Sequence, residues 1–241
     1  MILNRRTVLL SIPALGLSAC ETLDPAIIEG VLGSGVLSQG EAAAGIRAAL
    51  NNGVSHAVRT VGRTDGFLNN ARIRIPLPKA LQDIQDVVQP LGLGGLLGDL
   101  QTQLNRGAEK AAPVAKDIFV DAVTSLSIQD AIDIVRGPDN AATEYLQERT
   151  SLRLTELFSP IMENALSQTG ALQLMDQFTG QLQSIPFAPS LSANAKSDLI
   201  RHGVDFGLSG IFTYIADEEK AIRENPAKRT SDILRRVFGY A

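Results

Sequence analysis

Cysteine occurs once, at position 20, tryptophan is absent, and histidine occurs only at 56 and 202. A single thiol excludes a disulfide framework, a thiolate metal cluster and a C-x-x-C redox pair. His56 and His202 form neither an H-E-x-x-H nor an H-x-x-x-H pattern, which speaks against a transition-metal hydrolase. Aromatic residues make up 5% of the chain, while Ala, Leu and Ile dominate its apolar set. That palette suits helices better than a sandwich of aromatic and β-branched strands. The chain has no G-x-S-x-G elbow for a serine nucleophile. It also lacks an excess of positive charge, and at a formal net charge of −4 it is a poor general binder of nucleic acid. No internal repeat, low-complexity tract or composition shift marks a second domain. What is present is 241 residues, 44% hydrophobic and 20% charged, the balance of a globular chain able to bury one sizeable core. The expectation is an all-α fold, a single domain of about seven to nine helices, some kinked at proline.

The first residues read as a targeting segment. Arg5 and Arg6 form a basic n-region, and Thr7 to Ala19 is a mostly apolar run. A bilayer core takes roughly 20 apolar residues in helix, so this run is a signal h-region rather than a transmembrane anchor. It ends Leu17-Ser18-Ala19-Cys20, which resembles the bacterial lipobox. That resemblance implies diacylglycerol on the Cys20 thiol, cleavage before it, and a chain held on a membrane by lipid. The expected division is a signal peptide at 1–19, a lipidated end and tether at 20–37, where Gly30, Gly33 and Gly35 interrupt any period, and a helical domain at 38–241. Loss of Arg5 and Arg6 takes the net charge from −4 to about −6. The alternative is an ordinary signal peptide that leaves Cys20 a free thiol. The arginine pair also leaves Sec and twin-arginine export both open. Glu21 after the cysteine, rather than Asp, leans toward an outer-membrane destination by resemblance to enteric sorting rules.

Helix signals then follow one another. Ser38-Gln39-Gly40-Glu41 has the spacing of a capping box. Ile46, Leu50, Val54, Ala57, Val58 and Val61 share one face beyond it, with Arg47, Asn51 and Arg59 opposite and His56 toward the polar side. Gly62 to Asn70 is a turn region, and Arg72 to Pro78 alternates like a strand that Pro76 and Pro78 bar from a sheet centre. Pro78 suits the first turn of a helix through Val88, and Gly92, Gly94, Gly95 and Gly98 mark a joint. A helix from Leu97 to about Leu126 is kinked or divided at Pro113. Ser127 opens a short helix with Ile128, Ala131, Ile132 and Val135 inward, closed by Gly137-Pro138. Asp139 or Asn140 caps the next, bent at Pro160, with a stripe through Leu154, Leu157, Phe158, Ile161, Met162 and Ala165. Residues 184–194 read as a loop, 195–224 as a long helix, and Thr230 to Phe238 as a terminal one.

Gly62-Arg63-Thr64-Asp65-Gly66-Phe67, Ile75-Pro76-Leu77-Pro78, Asn105-Arg106 with Ala108-Glu109, Ile118-Phe119-Val120-Asp121-Ala122, Ala141-Ala142-Thr143-Glu144-Tyr145 and Glu218 to Arg223 together resemble a bacterial envelope family known only as domain-of-unknown-function family 4197. The likeness spans about residues 40 to 240. It implies a helical, often lipid-anchored envelope domain and no particular chemistry.

Candidate ligand or partner residues are Arg63, Asp65, Gly66, Asn105, Glu109 and Tyr145. In Arg63-Thr64-Asp65-Gly66 a guanidinium and a carboxylate flank a glycine that lets backbone amides approach an anion. The same four residues also make an ordinary turn, with Gly66 supplying positive φ and Arg63 bonding the last helix carbonyls. Asp117, Asp121, Asp130 and Asp133 invite a metal, but their spacing matches no metal motif and suits caps and solvated faces. Glu219 and Arg223, four apart, read as a solvated helix pair within a basic run from Lys220 to Arg236. No cofactor is implied. The expected partners are the membrane, through the lipid, and an envelope protein or small apolar ligand. An envelope hydrolase built on scattered Asp, Glu and His residues, with Asp65 and His56 first to test, is the alternative.

Overall fold

Helix α1, Gln39–Val61, starts where the capping box predicts. Ser38 Oγ accepts from the Glu41 amide at 3.2 Å, and Glu41 Oε2 accepts from the Ser38 amide at 2.8 Å, so two donors with no partner inside the helix satisfy each other. All six residues of its predicted stripe are buried. In the computed structural model, residues 38–188 and 190–225 are described; the predicted leader, Cys20, the tether and the helix after Thr230 lie outside them. Eight further helices follow: α2 (Lys79–Asp83), α3 (Gln85–Val88), α4 (Gly94–Val114), α5 (Lys116–Thr124), α6 (Ile128–Arg136), α7 (Ala141–Thr169), α8 (Ala171–Gln183) and α9 (Ala195–Glu224). The described residues contain no strand, and the fold is all-α.

Helix α9 is the centre of the packing. It lies against α1, α7 and α4; α4 also packs on α7 and α8, and α1 on α5 and α6. Its predicted stripe, Val204, Leu208, Ile211, Phe212, Ile215 and Ile222, is buried throughout. Phe212 meets Phe119 of α5 edge-on, with ring centroids 5.3 Å apart. The largest buried side chains, Phe67, Phe119, Phe158 and Phe178, come from a loop and three helices and belong to one continuous core.

Several elements depart from expectation. Arg72 to Pro78 alternates as a strand would, with Ile73, Ile75 and Leu77 buried, yet it pairs with no second strand. The helix after Pro78 breaks at Ile84 into α2 and α3. As expected, Pro113 divides α4 from α5 at Ala115, and α7 passes through Pro160 as one helix. Pro160 is on the exposed side, where water can serve the Glu156 carbonyl that proline leaves without a donor. A further break separates α7 from α8 at Gly170, which takes the left-handed conformation at φ 84° and so turns the chain cheaply. In α6, Ile134 is buried while Ile128 is 46% exposed, because the capping box at Ser127 sets the helix phase and leaves Ile128 at its open first position. Leu157 of α7 is 42% exposed. Arg47 is half-buried and donates to the Leu126 carbonyl, so α1 has no fully polar face.

Candidate functional site

Glu109 in α4 and Glu219 in α9 are buried carboxylates, and each closes a gap in backbone hydrogen bonding that another segment leaves open. The turn after α1 presents the amides of Phe67 and Leu68, and both donate to Glu109 Oε1 at 3.1 Å. Arg106, one turn before Glu109, donates from Nη1 to Glu109 Oε2 at 2.7 Å and from Nη2 to Asp65 Oδ1 at 2.8 Å. The Glu109 bond and, next to it, the Asp65 bond hold this guanidinium more firmly protonated, against the opposing pull of burial. The turn is thus clamped to α4, and the Phe67 ring is fully buried.

Within this turn the roles differ from those predicted. Asp65 takes the positive φ, 66°, and Gly66 is not among the residues of positive φ. Gly66 is needed for closeness instead: a Cβ there would lie 2.2 Å from the Val61 carbonyl oxygen and 2.6 Å from its carbon. Those are backbone atoms of the last helical turn and cannot swing aside. Gly66→Ala is therefore expected to destabilise the fold by about 1–3 kcal/mol, read as an earlier midpoint in urea unfolding; an unchanged midpoint would refute the close approach. Arg63 is exposed and has no hydrogen bond or ion pair among the described residues, so the helix carbonyl is served by the Gly62 amide, 2.9 Å from Val58 O.

Asn105, fully buried, explains the strand-like segment. Its Oδ1 accepts from the Ile75 amide at 2.8 Å and its Nδ2 donates to the Ile75 carbonyl at 2.9 Å. One side-chain amide on α4 thus stands in for a neighbouring strand. At the next residue, His202 Nε2 of α9 donates to the Pro76 carbonyl at 2.7 Å. Burial lowers the His202 pKa below the ordinary histidine value, more than the bond to Pro76 raises it. Its depressed folded pKa means that the unfolded chain binds the proton more readily. The associated stability is full above about pH 6.5 and is lost as pH falls through the folded value. Imidazole NMR is expected to show His202 titrating below the free amino-acid range; titration above it would contradict this packing.

The second carboxylate, Glu219, accepts from the Ala142 and Thr143 amides, each at 2.9 Å, and from the Thr143 hydroxyl at 2.8 Å. It serves as the N-terminal cap of α7, whose own Asn140 makes no capping bond and donates instead to Glu144. Arg223 completes the cluster with bonds of 2.9 Å to Glu219 Oε1 and 2.9 Å to the Ile134 carbonyl near the end of α6. A carboxylate thus meets a helix start and a guanidinium meets a helix end, as the helix dipoles favour. The pair predicted to be solvated is buried, with side-chain exposures of 7% for Glu219 and 10% for Arg223.

Tyr145 stands apart from these clusters. Its hydroxyl donates at 2.8 Å to Asp130 Oδ2, the carboxylate that caps α6 through Ser127. The Ser127 hydroxyl, followed by Tyr145, lowers the Asp130 pKa, while burial and then Asp130 raise that of Tyr145. Of the other predicted acids, Asp133 accepts from Gln129, and Asp117 and Asp121 are exposed. No group of three or more His, Cys, Asp or Glu among the described residues is arranged to hold a metal ion. His56 pairs with Glu218 at 3.3 Å, so neither histidine is paired with a serine hydroxyl among the described residues. Asn105, Glu109 and Asp65 are therefore brought to the α4 side of the fold, Tyr145 to a different cleft, and Arg63 to open surface. Arg106 and Glu219, absent from the candidate set, are central to the polar interior; the nearest signal was their place in the motifs Asn105-Arg106 and Glu218 to Arg223.

No curated protein and no solved structure matches the chain. A family model described as protein of unknown function (DUF4197) matches residues 36–239, nearly the whole helical region. The chain belongs to this DUF4197 family.

Proposed function

We propose that the chain is exported, cut before Cys20 and held on a bacterial membrane by lipid at that thiol, with its helical domain facing the periplasm and working as a non-catalytic module that binds an envelope protein. The observation that carries the non-catalytic reading is the use of Asn105, Glu109 and Glu219, three buried groups able to do chemistry, as acceptors for the chain's own backbone. A general base needs a free lone pair facing a substrate. The cavity beside Glu219, bordered by Ile46, Leu50 and Ile215, holds about 10 Å³, room for one water. That space leaves no room for an apolar ligand beside Glu219. Leu152, 85% exposed on α7, and the fully exposed Phe187 are apolar groups turned outward. Among the described residues no helix is long and apolar enough to cross a membrane, which fits anchoring by lipid.

Mass spectrometry of native material tests the anchor: a mature chain beginning at a diacylglycerol-bearing Cys20 is expected, and an intact leader or a free thiol would defeat it. Photo-crosslinkers at positions 152 and 187 test the binding role through one recurrent envelope partner, lost in Leu152→Glu. Turnover of an envelope substrate that disappears in Asp65→Asn or His56→Ala would favour the hydrolase instead.

A further inference from the structure

Between α5 and α7 a cleft of about 110 Å³ has an apolar side made by Ile118, Ala122 and Leu154 and a basic lip made by Arg149 and Arg153. The two arginines are four residues apart in α7, a spacing at which like charges disfavour a helix. The arginines that packing partly covers answer an acceptor, Arg106 at Glu109, Arg223 at Glu219 and Arg47 at the Leu126 carbonyl, whereas Arg149 and Arg153 are exposed. At this cleft, Arg149 lies over the Tyr145 ring, 5.6 Å from its centroid, and Arg153 has no hydrogen bond or ion pair among the described residues. Asp130, the acid that attracts Arg149, already accepts from the Ser127 amide and hydroxyl and from Tyr145. Ser125 and Thr150 spend their hydroxyl protons on the Ala122 and Leu146 carbonyls. The donors left to face a ligand are the two guanidiniums.

We infer that this cleft binds a phosphate group, held between Arg149 and Arg153, with the atoms that carry it lying against Ile118 and Leu154. Two guanidinium charges match a dianionic phosphate better than a single carboxylate, and their planar forks suit its oxygens. The aromatic face of Tyr145 steadies Arg149 before any ligand arrives, which lowers the ordering cost of binding. The volume suits a headgroup or a small ester and not a nucleotide. The inference goes beyond the proposed function and does not depend on lipidation.

The test is titration of the purified full chain with inorganic phosphate, glycerol phosphate and water-soluble short-chain phosphatidic acid at constant ionic strength, followed by arginine side-chain NMR. Saturable binding is expected with a dissociation constant on the order of 1 mM for inorganic phosphate. The double variant Arg149→Gln/Arg153→Gln is expected to weaken it at least about tenfold, and Arg63→Gln to leave it unchanged. Circular dichroism should show both variants fully folded. A gain of about tenfold for the short-chain lipid over glycerol phosphate identifies a lipid headgroup; equal affinities identify a soluble phosphate. Absence of saturation by all three titrants, or binding that survives the double substitution, overturns the inference.

Discussion

Replacing Glu109 with alanine is expected to lower stability by about 3–5 kcal/mol, a large share of what holds a domain of this size together. The change strands the Phe67 and Leu68 amides and leaves Arg106 without its most buried partner. Each lost acceptor costs the desolvation of a donor that water reaches poorly. In thermal melts followed by circular dichroism the midpoint should fall by on the order of 10 °C. Glu109→Gln keeps an oxygen for the two amides but loses the charge and the acceptor that faces Arg106, so it should retain part of that stability. Equal losses for Ala and Gln would mean that the ion pair, and not the amide contacts, holds the turn; no loss for either would show that the turn is not clamped at all.

Glu219→Ala is expected to cost a similar amount, about 3–5 kcal/mol, by a different route. It removes the cap of α7, frees the Thr143 hydroxyl and leaves Arg223 buried with only the Ile134 carbonyl and its remaining contacts. Hydrogen exchange separates this from a uniform loss: protection should fall first at the amides of Ala142 and Thr143 and around the α6–α7 junction. Glu224→Ala is the comparison, since its side chain is 59% exposed and pairs with Lys220 on the surface. If both substitutions had equal effects, Glu219 would be an ordinary surface acid and the cap assignment would fail.

The parts of this fold that were readable in advance are those decided within one helical turn. The capping box at Ser38, the helix start at Ser127, the buried stripes of α1 and α9 and the loop at 184–194 all follow from neighbours three or four residues apart. Gly170 escaped notice because one glycine in a helical pattern costs only about 1 kcal/mol and need not end it. Gly66 and Asp65 exchanged their expected roles for a reason of the same scale. Aspartate tolerates the left-handed region, and only the residue beside it had to lose its Cβ to lie against Val61.

The candidate residues divided by reach. Asp65, Asn105 and Glu109 stand out in the sequence as candidate ligand residues, but their partners lie 41, 30 and 42 residues away, and nothing local distinguishes a buried anchor from a ligand site. Glu219 was read as solvated because its i, i+4 partner Arg223 is correct, while the amides that bury it come from residues 76 and 77 positions earlier. By itself, the sequence determined that the chain is helical, where most helices begin, and which faces are apolar, since propensity and capping act along the chain. Only the tertiary structure decided which charges are interior: a carboxylate leaves water when a distant segment offers it unpaired amides, and that offer exists only after the helices have packed.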